Sequence, residues 1–319
     1  MSRTPSPTSV IRVVAVMGAT ATGKSDLGID LALAFDGEIV SMDSRQTYRG
    51  LDIGTGKVGL AQRGRLPHHL LDILAPTESG SAGRHAALAE AAVRAIAARG
   101  HTPFLVGGTG LYFRAFFGGL VPVTIPRDDL ARIRRGFAGR ATRDLHEELS
   151  RVDPGRAAAL SPNDRVRVTR ALEMIAYTGT PVTGLYAGGR QGPAGMTFLK
   201  LVLTLPRALL RERIAERTRA LFAAGWVDEV RRLLTSGLDA GAPAMNSLGY
   251  AEIARAIREG ADPEECVERV ITLTRQYAKR QETFFRREPD AVWIDVSRGD
   301  AAAQVHARVA HFLGTGGAQ

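Results

Sequence analysis

Read for its apolar and polar positions, the chain begins as short β-branched runs alternating with helical patterns. Ile11 to Met17 is a largely apolar run of the length and type that a buried parallel strand takes. From Asp26 to Phe35, Leu27, Leu31 and Ala34 recur at helical spacing. Glu38 to Met42 predicts a second strand, with Asp43 just past its end. His85 to Arg99 predicts an alanine-rich helix. Thr102 to Val106 predicts a third strand, followed by Gly107, Gly108, Thr109 and Gly110. Strands that alternate with helices imply an α/β fold with a parallel sheet and right-handed crossovers.

The alternation then stops. From about Pro122 to Gly195 the pattern is helical and broken by turns, and it holds 11 arginines by position 170. That is too much charge for an ordinary sheet-covering helix, so a helical insertion is predicted. Phe198 to Leu205 alternates as a strand does and resumes the sheet. Pro206 to Ser236 is expected as one long helix, Pro263 to Glu288 as another, and Ala291 to Val296 as a final edge strand. The organisation that follows is an α/β core over 10–121, a helical insertion over 122–196 and the rest of the core over 197–313. Residues 1–9 and 314–319 are expected to be disordered.

Composition adds size and sign. The 319 residues are 45% hydrophobic, enough for a substantial core. Lys and Arg number 42 against 33 Asp and Glu, a formal charge of +9. Such an excess favours nucleic acid, phosphorylated metabolites or membrane surfaces without choosing among them. Cys266 is the single cysteine, which excludes an internal disulfide and a zinc cluster and fits a reducing cytoplasm. No apolar run reaches the ~18 residues of a membrane span, and the first residues lack the apolar stretch of a signal peptide. A monomeric cytoplasmic protein without a membrane partner is the expectation. His68 and His69 are adjacent, so they do not share a face, and they read as structural and not as metal ligands.

The sharpest chemical signal is GATATGKS, comprising Gly18, Ala19, Thr20, Ala21, Thr22, Gly23, Lys24 and Ser25. It fits G-x-x-x-x-G-K-[ST] and sits between a predicted strand and a predicted helix, the context that a phosphate-cradling loop requires. Glycines let the backbone curl so that N–H groups meet phosphate oxygens, and the helix start adds positive potential. Lys24 reaches the terminal phosphates, and Ser25 is placed to ligate Mg2+. The default ligand of such a loop is ATP. A nucleoside triphosphatase usually adds an acidic magnesium partner at the end of an apolar strand, but the strand 102–106 ends in GGTG.

Three further residues are singled out by position. Asp43 lies beyond the carboxyl end of a strand, where open parallel sheets bind ligands, although a turn-former or helix cap explains it equally. Thr109 follows the third strand and reads either as a site residue or as a turn residue. Arg217 falls on the apolar stripe of Leu210, Ile214 and Leu221 at the helical advance of about 100° per residue. An inward charge needs an anionic partner, unless it snorkels or forms a structural ion pair. Two segments are basic: Arg165, Arg167 and Arg170 after Ser161-Pro162, and Arg275, Lys279, Arg280, Arg286 and Arg287 among Tyr277, Phe284 and Phe285. Composition alone leaves open whether these are solvated helices or a nucleic-acid surface.

GATATGKS, DSRQTYRGLDIGTGK, PHHLLDI, VGGTGLYFRA, PNDRVRVTRALE, LGYAEI and QYAKRQETFFRR occur in this order. The set resembles the bacterial tRNA dimethylallyltransferases, or tRNA isopentenyltransferases, from about Val13 to Arg287. The resemblance implies a P-loop NTPase-like core with a helical insertion. It implies transfer of a dimethylallyl group from dimethylallyl diphosphate to N6 of the adenosine 3′ of certain tRNA anticodons, with diphosphate in the glycine loop. By resemblance Asp43 is the base, Thr109 lines the reaction channel and Arg217 faces diphosphate. Asp43, Ser44, Arg45 and Gln46, then Val166, Arg167, Val168, Thr169 and Arg170, are the implied tRNA contacts. Gln276, Lys279, Arg280 and Gln281, with Gly249 and Tyr250, extend that set. Arg45 is a departure, since the family often has a small or apolar residue there. Free adenine nucleotides as acceptor, or small-molecule kinase chemistry, are the competing readings.

Overall fold

The computed structural model describes residues 10–119, 123, 125–187 and 192–315. Six strands form one parallel sheet: β1 (Ile11–Gly18), β2 (Gly37–Ser41), β3 (His68–His69), β4 (Thr102–Gly107), β5 (Met196–Thr204) and β6 (Ala291–Asp295). Their order is β3-β2-β4-β1-β5-β6. The helices are α1 (Lys24–Ala34), α2 (Leu60–Arg63), α3 (Ala82–Ala98), α4 (Gly110–Gly118), α5 (Arg127–Arg135), α6 (Thr142–Val152) and α7 (Pro154–Ala158). They continue as α8 (Arg165–Thr178), α9 (Val182–Ala187), α10 (Arg207–Ala223), α11 (Trp226–Thr235), α12 (Tyr250–Glu259), α13 (Val267–Phe285) and α14 (Ala301–Leu313).

The β-branched run is central for a physical reason. Val13, Val14, Ala15, Val16 and Met17 are fully buried because β1 lies between β4 and β5 with both faces covered. On one face Val14 and Val16 pack with Ile29 and Leu31 of α1 and Val305 and Val309 of α14. On the other, Val13 and Met17 pack with Val93 and Ile96 of α3, Phe113 and Phe116 of α4 and Phe285 of α13. A third core gathers Trp226, Val230, Tyr250 and Val270 from α11, α12 and α13.

The chain divides into two compact units, one formed up to Phe117 and from Pro193 onward, the other from Gly118–Gly192. The second unit holds no strand among its described residues and has its own core of Leu145, Leu149, Val168, Leu172 and Val182. Its arginines are partly neutralised: Arg134 and Arg170 both pair with Glu173, and Arg140 pairs with Glu148.

Four expectations change in detail. The single helix over 206–236 is two helices, because Gly225 at φ 96° takes the left-handed conformation that starts α11. Pro263–Cys266 is a 3-10 turn, and α13 begins at Val267. The two-residue strand β3 at the histidine pair is new. Gly314 and Thr315 close α14 through bonds to the His311 and Ala310 carbonyls; the expected disorder of 1–9 and 316–319 lies outside the described residues.

Candidate active site

The glycine loop leaves the central strand at the carboxyl edge of the sheet. At Gly18 a Cβ would lie 2.7 Å from the Leu203 carbonyl oxygen of β5, so only glycine fits. Ala21 at φ 64° and Gly23 at φ 82° then fold the chain back into α1. That helix has no side-chain cap, which leaves its first N–H groups and its positive end open to an anion. The loop holds its own shape: Thr22 Oγ1 and Lys24 Nζ both donate to the Ala19 carbonyl at 2.9 Å.

Two cations face this loop. Arg217 lies on the inward stripe of α10 with the buried Leu210 and Ile214, and its Nη1 donates to Thr20 Oγ1 at 3.0 Å. Neither Arg217 nor Lys24 forms an ion pair among the described residues. Burial lowers the Arg217 pKa, against the opposing charges of Asp43 and Asp26. Lys24 is lowered to about 8, first by burial and then by Arg217, with Asp43 acting the other way. Two desolvated cations without a carboxylate in contact make a strong seat for an anion of more than one charge.

Asp43 follows β2. Its Oδ1 accepts from the backbone N–H of Arg45 at 2.8 Å and of Gln46 at 3.4 Å. The turn-forming reading is therefore correct for one oxygen. Oδ2 accepts no hydrogen bond among the described residues and remains available to take a proton. Thr109 bonds across to this turn: its Oγ1 accepts from Ser44 N at 3.0 Å, and its own N–H donates to the Met42 carbonyl at 3.2 Å. Beside Thr109 the Tyr277 hydroxyl is pushed up to about 12, chiefly by burial, so it stays protonated.

A cavity of about 510 Å³ joins these groups; Thr20, Lys24, Ser25, Asp43, Thr109, Arg217 and Tyr277 all line it. The same wall carries three buried polar atoms without a partner in the described structure, Ser41 Oγ, His68 Nε2 and Trp226 Nε1. His69 is structural as read, bonding Glu38 Oε2 at 2.6 Å. His68 is only half so: its Nδ1 lies 3.0 Å from the Leu66 carbonyl while Nε2 meets the cavity. Among the described residues no group of three His, Cys, Asp or Glu could hold a metal.

The implied RNA contacts separate into three sets. Ser44, Arg45, Gln46 and Arg280 line the cavity. Val166, 80% exposed, and Arg167, Arg170, Gln276 and Lys279 are on the surface, with Thr169 half-buried. Val168 is a correction, while Tyr250 and Gln281 are buried in the cavity wall. Val168 belongs to the core of the helical unit, and Tyr250 is fully buried with its hydroxyl on Glu229. Gln281 is buried and spent on two backbone bonds: it accepts from Thr20 N at 2.9 Å and donates to the Gly108 carbonyl at 2.7 Å. Gly249 is likewise buried, at φ 86° as the N-cap of α12, and packed on Trp226. Gln281 is an RNA contact by the family resemblance alone, and an amide inside a basic segment carries no sequence sign that it faces inward.

A family model described as IPP transferase matches residues 46–288, and one described as isopentenyl transferase matches 11–63. A tRNA dimethylallyltransferase of Methylococcus capsulatus is 43% identical over 93% of this chain and 97% of its own. One from Anaeromyxobacter dehalogenans is 45% identical over 89% and 95%. Among solved structures, the tRNA isopentenylpyrophosphate transferase of Bacillus halodurans superposes with a TM-score of 0.70 at 34% identity, covering 95% of this chain and 97% of that one. A eukaryotic dimethylallyltransferase acting on tRNA gives a TM-score of 0.80 at 26% identity, over 95% and 79%. On its sequence, its parallel sheet and these relatives together, the chain belongs to the tRNA dimethylallyltransferase (IPP transferase) family.

Proposed function

We propose that this chain transfers a dimethylallyl group from dimethylallyl diphosphate to N6 of the adenosine 3′-adjacent to the anticodon, in tRNAs that read codons beginning with U. The observation that carries this reading is one cavity that joins a two-cation anion seat to a carboxylate with an uncommitted oxygen. The family's relatives are named for this reaction on tRNA.

The adenine amine is a poor nucleophile, because its lone pair is delocalised into the ring. Asp43 Oδ2 accepts its proton as N6 bonds to the allylic carbon, an assistance of roughly 100-fold or more. The carbon–oxygen bond to diphosphate breaks in the same displacement. The charge left on diphosphate meets Lys24, Arg217 and the open N–H groups of α1. Thr109 holds the Asp43 turn through Ser44, so it orients the base.

The donor set fits Mg2+. Ser25 offers one hydroxyl at the cavity wall without a carboxylate cage, and magnesium keeps several waters and takes phosphate oxygens. Bound there, it would neutralise part of the diphosphate charge. The flipped adenosine and its flanking backbone would meet Arg45, Gln46 and Arg280 at the cavity, and Arg167, Arg170, Gln276 and Lys279 on the surface. We infer action as a monomer, which a sedimentation measurement tests. No described helix is long and apolar enough to cross a membrane; a cytoplasmic location is part of the proposal.

The test is incubation with radiolabelled dimethylallyl diphosphate, Mg2+ and an anticodon stem-loop. Label in the RNA is the expected result. Label found only in free adenine nucleotide would move the acceptor to a small molecule. ATP consumption with a phosphorylated small acceptor, and no prenyl transfer, would make the chain a kinase.

A further inference from the structure

One flank of the cavity is the loop 52–57, which has no strand or helix to shape it. Gly54 and Thr55 line the cavity. Gly56 lies so close to Arg217 that a Cβ there would overlap the guanidinium. Gln46 donates its side-chain amide to the Thr55 and Gly56 carbonyls, both at 3.3 Å. The loop thus sets two things together: where the Arg217 guanidinium rests, and which end of the Gln46 amide remains for a ligand. With Nε2 spent on the loop, the free end is the acceptor Oε1.

The loop takes its shape from a buried carboxylate on α11. Glu229 Oε2 accepts from Asp52 N at 3.0 Å and Ile53 N at 2.7 Å. Its Oε1 accepts from Gly54 N at 3.2 Å and from the Tyr250 hydroxyl at 2.5 Å. Glu229 is 4% exposed and has no ion pair among the described residues. A buried charge without a counter-ion is tolerated only while donors satisfy it, and three of these four donors are backbone groups of the loop. An apolar side chain here would leave three loop N–H groups and the Tyr250 hydroxyl without an acceptor. The carboxylate therefore specifies geometry. Trp226, the first residue of α11, adds a stop: it packs between Gly54 and Gly249, where a Cβ on either would overlap the indole.

We propose that Glu229 is a positioning residue for prenyl transfer: through the backbone of residues 52–56 it fixes Arg217 at the diphosphate seat and Gln46 at the acceptor side, with Tyr250 holding its carboxylate. LGYAEI then serves as the rear support of the active site. The inference rests on the prenyl-transfer reading of the cavity.

Glu229→Gln keeps the volume but removes the charge and turns an NH2 toward backbone donors. Tyr250→Phe removes one of the four donors and leaves the loop's three. Donor and stem-loop kinetics, diphosphate binding by calorimetry, stem-loop binding and thermal unfolding are measured for both. Glu229→Gln is expected to lower kcat/KM for the donor by about 10- to 100-fold and Tyr250→Phe by about 3- to 10-fold, with stem-loop affinity within about twofold. Diphosphate affinity falls in the same order. Folded variants with donor kinetics and diphosphate affinity like the wild type would overturn the proposal, as would a loss confined to stem-loop affinity. If Glu229→Gln does not fold, Tyr250→Phe decides. Wild-type protein that binds diphosphate but never labels RNA would defeat the transfer reading; diphosphate binding would still test the clamp.

Discussion

Asp43 divides its work between its two oxygens. Oδ1 holds the turn that presents Arg45 and Gln46, and Oδ2, with no hydrogen bond among the described residues, is the oxygen to which the proposed reaction gives the proton. Asp43→Asn keeps the first role and removes the second. It should lower kcat by about 100-fold or more while stem-loop affinity stays near that of the wild type; single-turnover transfer and a binding titration check the two halves. Lys24 predicts a pH dependence. Its pKa is lowered from the ordinary 10.5 to about 8, so the free protein loses this charge as pH rises through about 8. Donor kcat/KM should fall above that pH, toward tenfold per unit. Stability moves the opposite way: between about 8 and 10.5 the unfolded chain binds the extra proton, so this group favours folding as pH rises. A pH series of donor kinetics and of melting temperature separates the two. That Asp43, Lys24 and Arg217 face one cavity was legible in the sequence, because strand ends, a glycine motif and helical phase fix direction. Glu229 was not, since a glutamate among arginines on a helix reads as solvated until the loop N–H groups are seen around it.

At the scale of elements, α13 bonds to the glycine loop through one side chain. Gln281 connects Thr20 N to the Gly108 carbonyl and so fastens the loop after β1 to the turn after β4. Gln281→Leu strands both backbone groups in a buried setting. A loss of about 1–3 kcal/mol is expected, read by denaturant unfolding, together with weaker diphosphate binding. The strands were legible where β-branched runs are long. The pair His68–His69 was not, because a two-residue edge strand leaves no period to read. The break between α10 and α11 was missed because it rests on a single left-handed residue, Gly225, between two helices that follow one another directly. The LGYAEI helix α12 begins with a glycine whose purpose is contact with Trp226, a tertiary fact with no local signal.

At the scale of the whole molecule, basic residues lie in both units while the cavity lies in one. The cavity is built from the α/β unit alone, while Arg167 sits exposed on α8 of the helical unit. Arg167→Glu should weaken stem-loop binding and reduce the slope of log affinity against log salt by about 1. Diphosphate binding should be unchanged, and fluorescence titrations across a salt series test both. The arginine-rich break in the strand–helix alternation made this second unit visible in advance, although its internal ion pairs were not. The sheet order has a consequence for how the protein is made. β1 pairs with β5 along its whole length, from Ile11 against Met196 to Gly18 against Leu203. At ribosomal rates of about 5–20 residues per second, roughly ten to forty seconds pass between synthesis of the two. During that interval one edge of the most apolar strand in the chain is bare, and the intervening helices with their separate core are finished before it is covered. Newborn chains should therefore be most prone to aggregation, and most in need of a chaperone, before β5 leaves the ribosome.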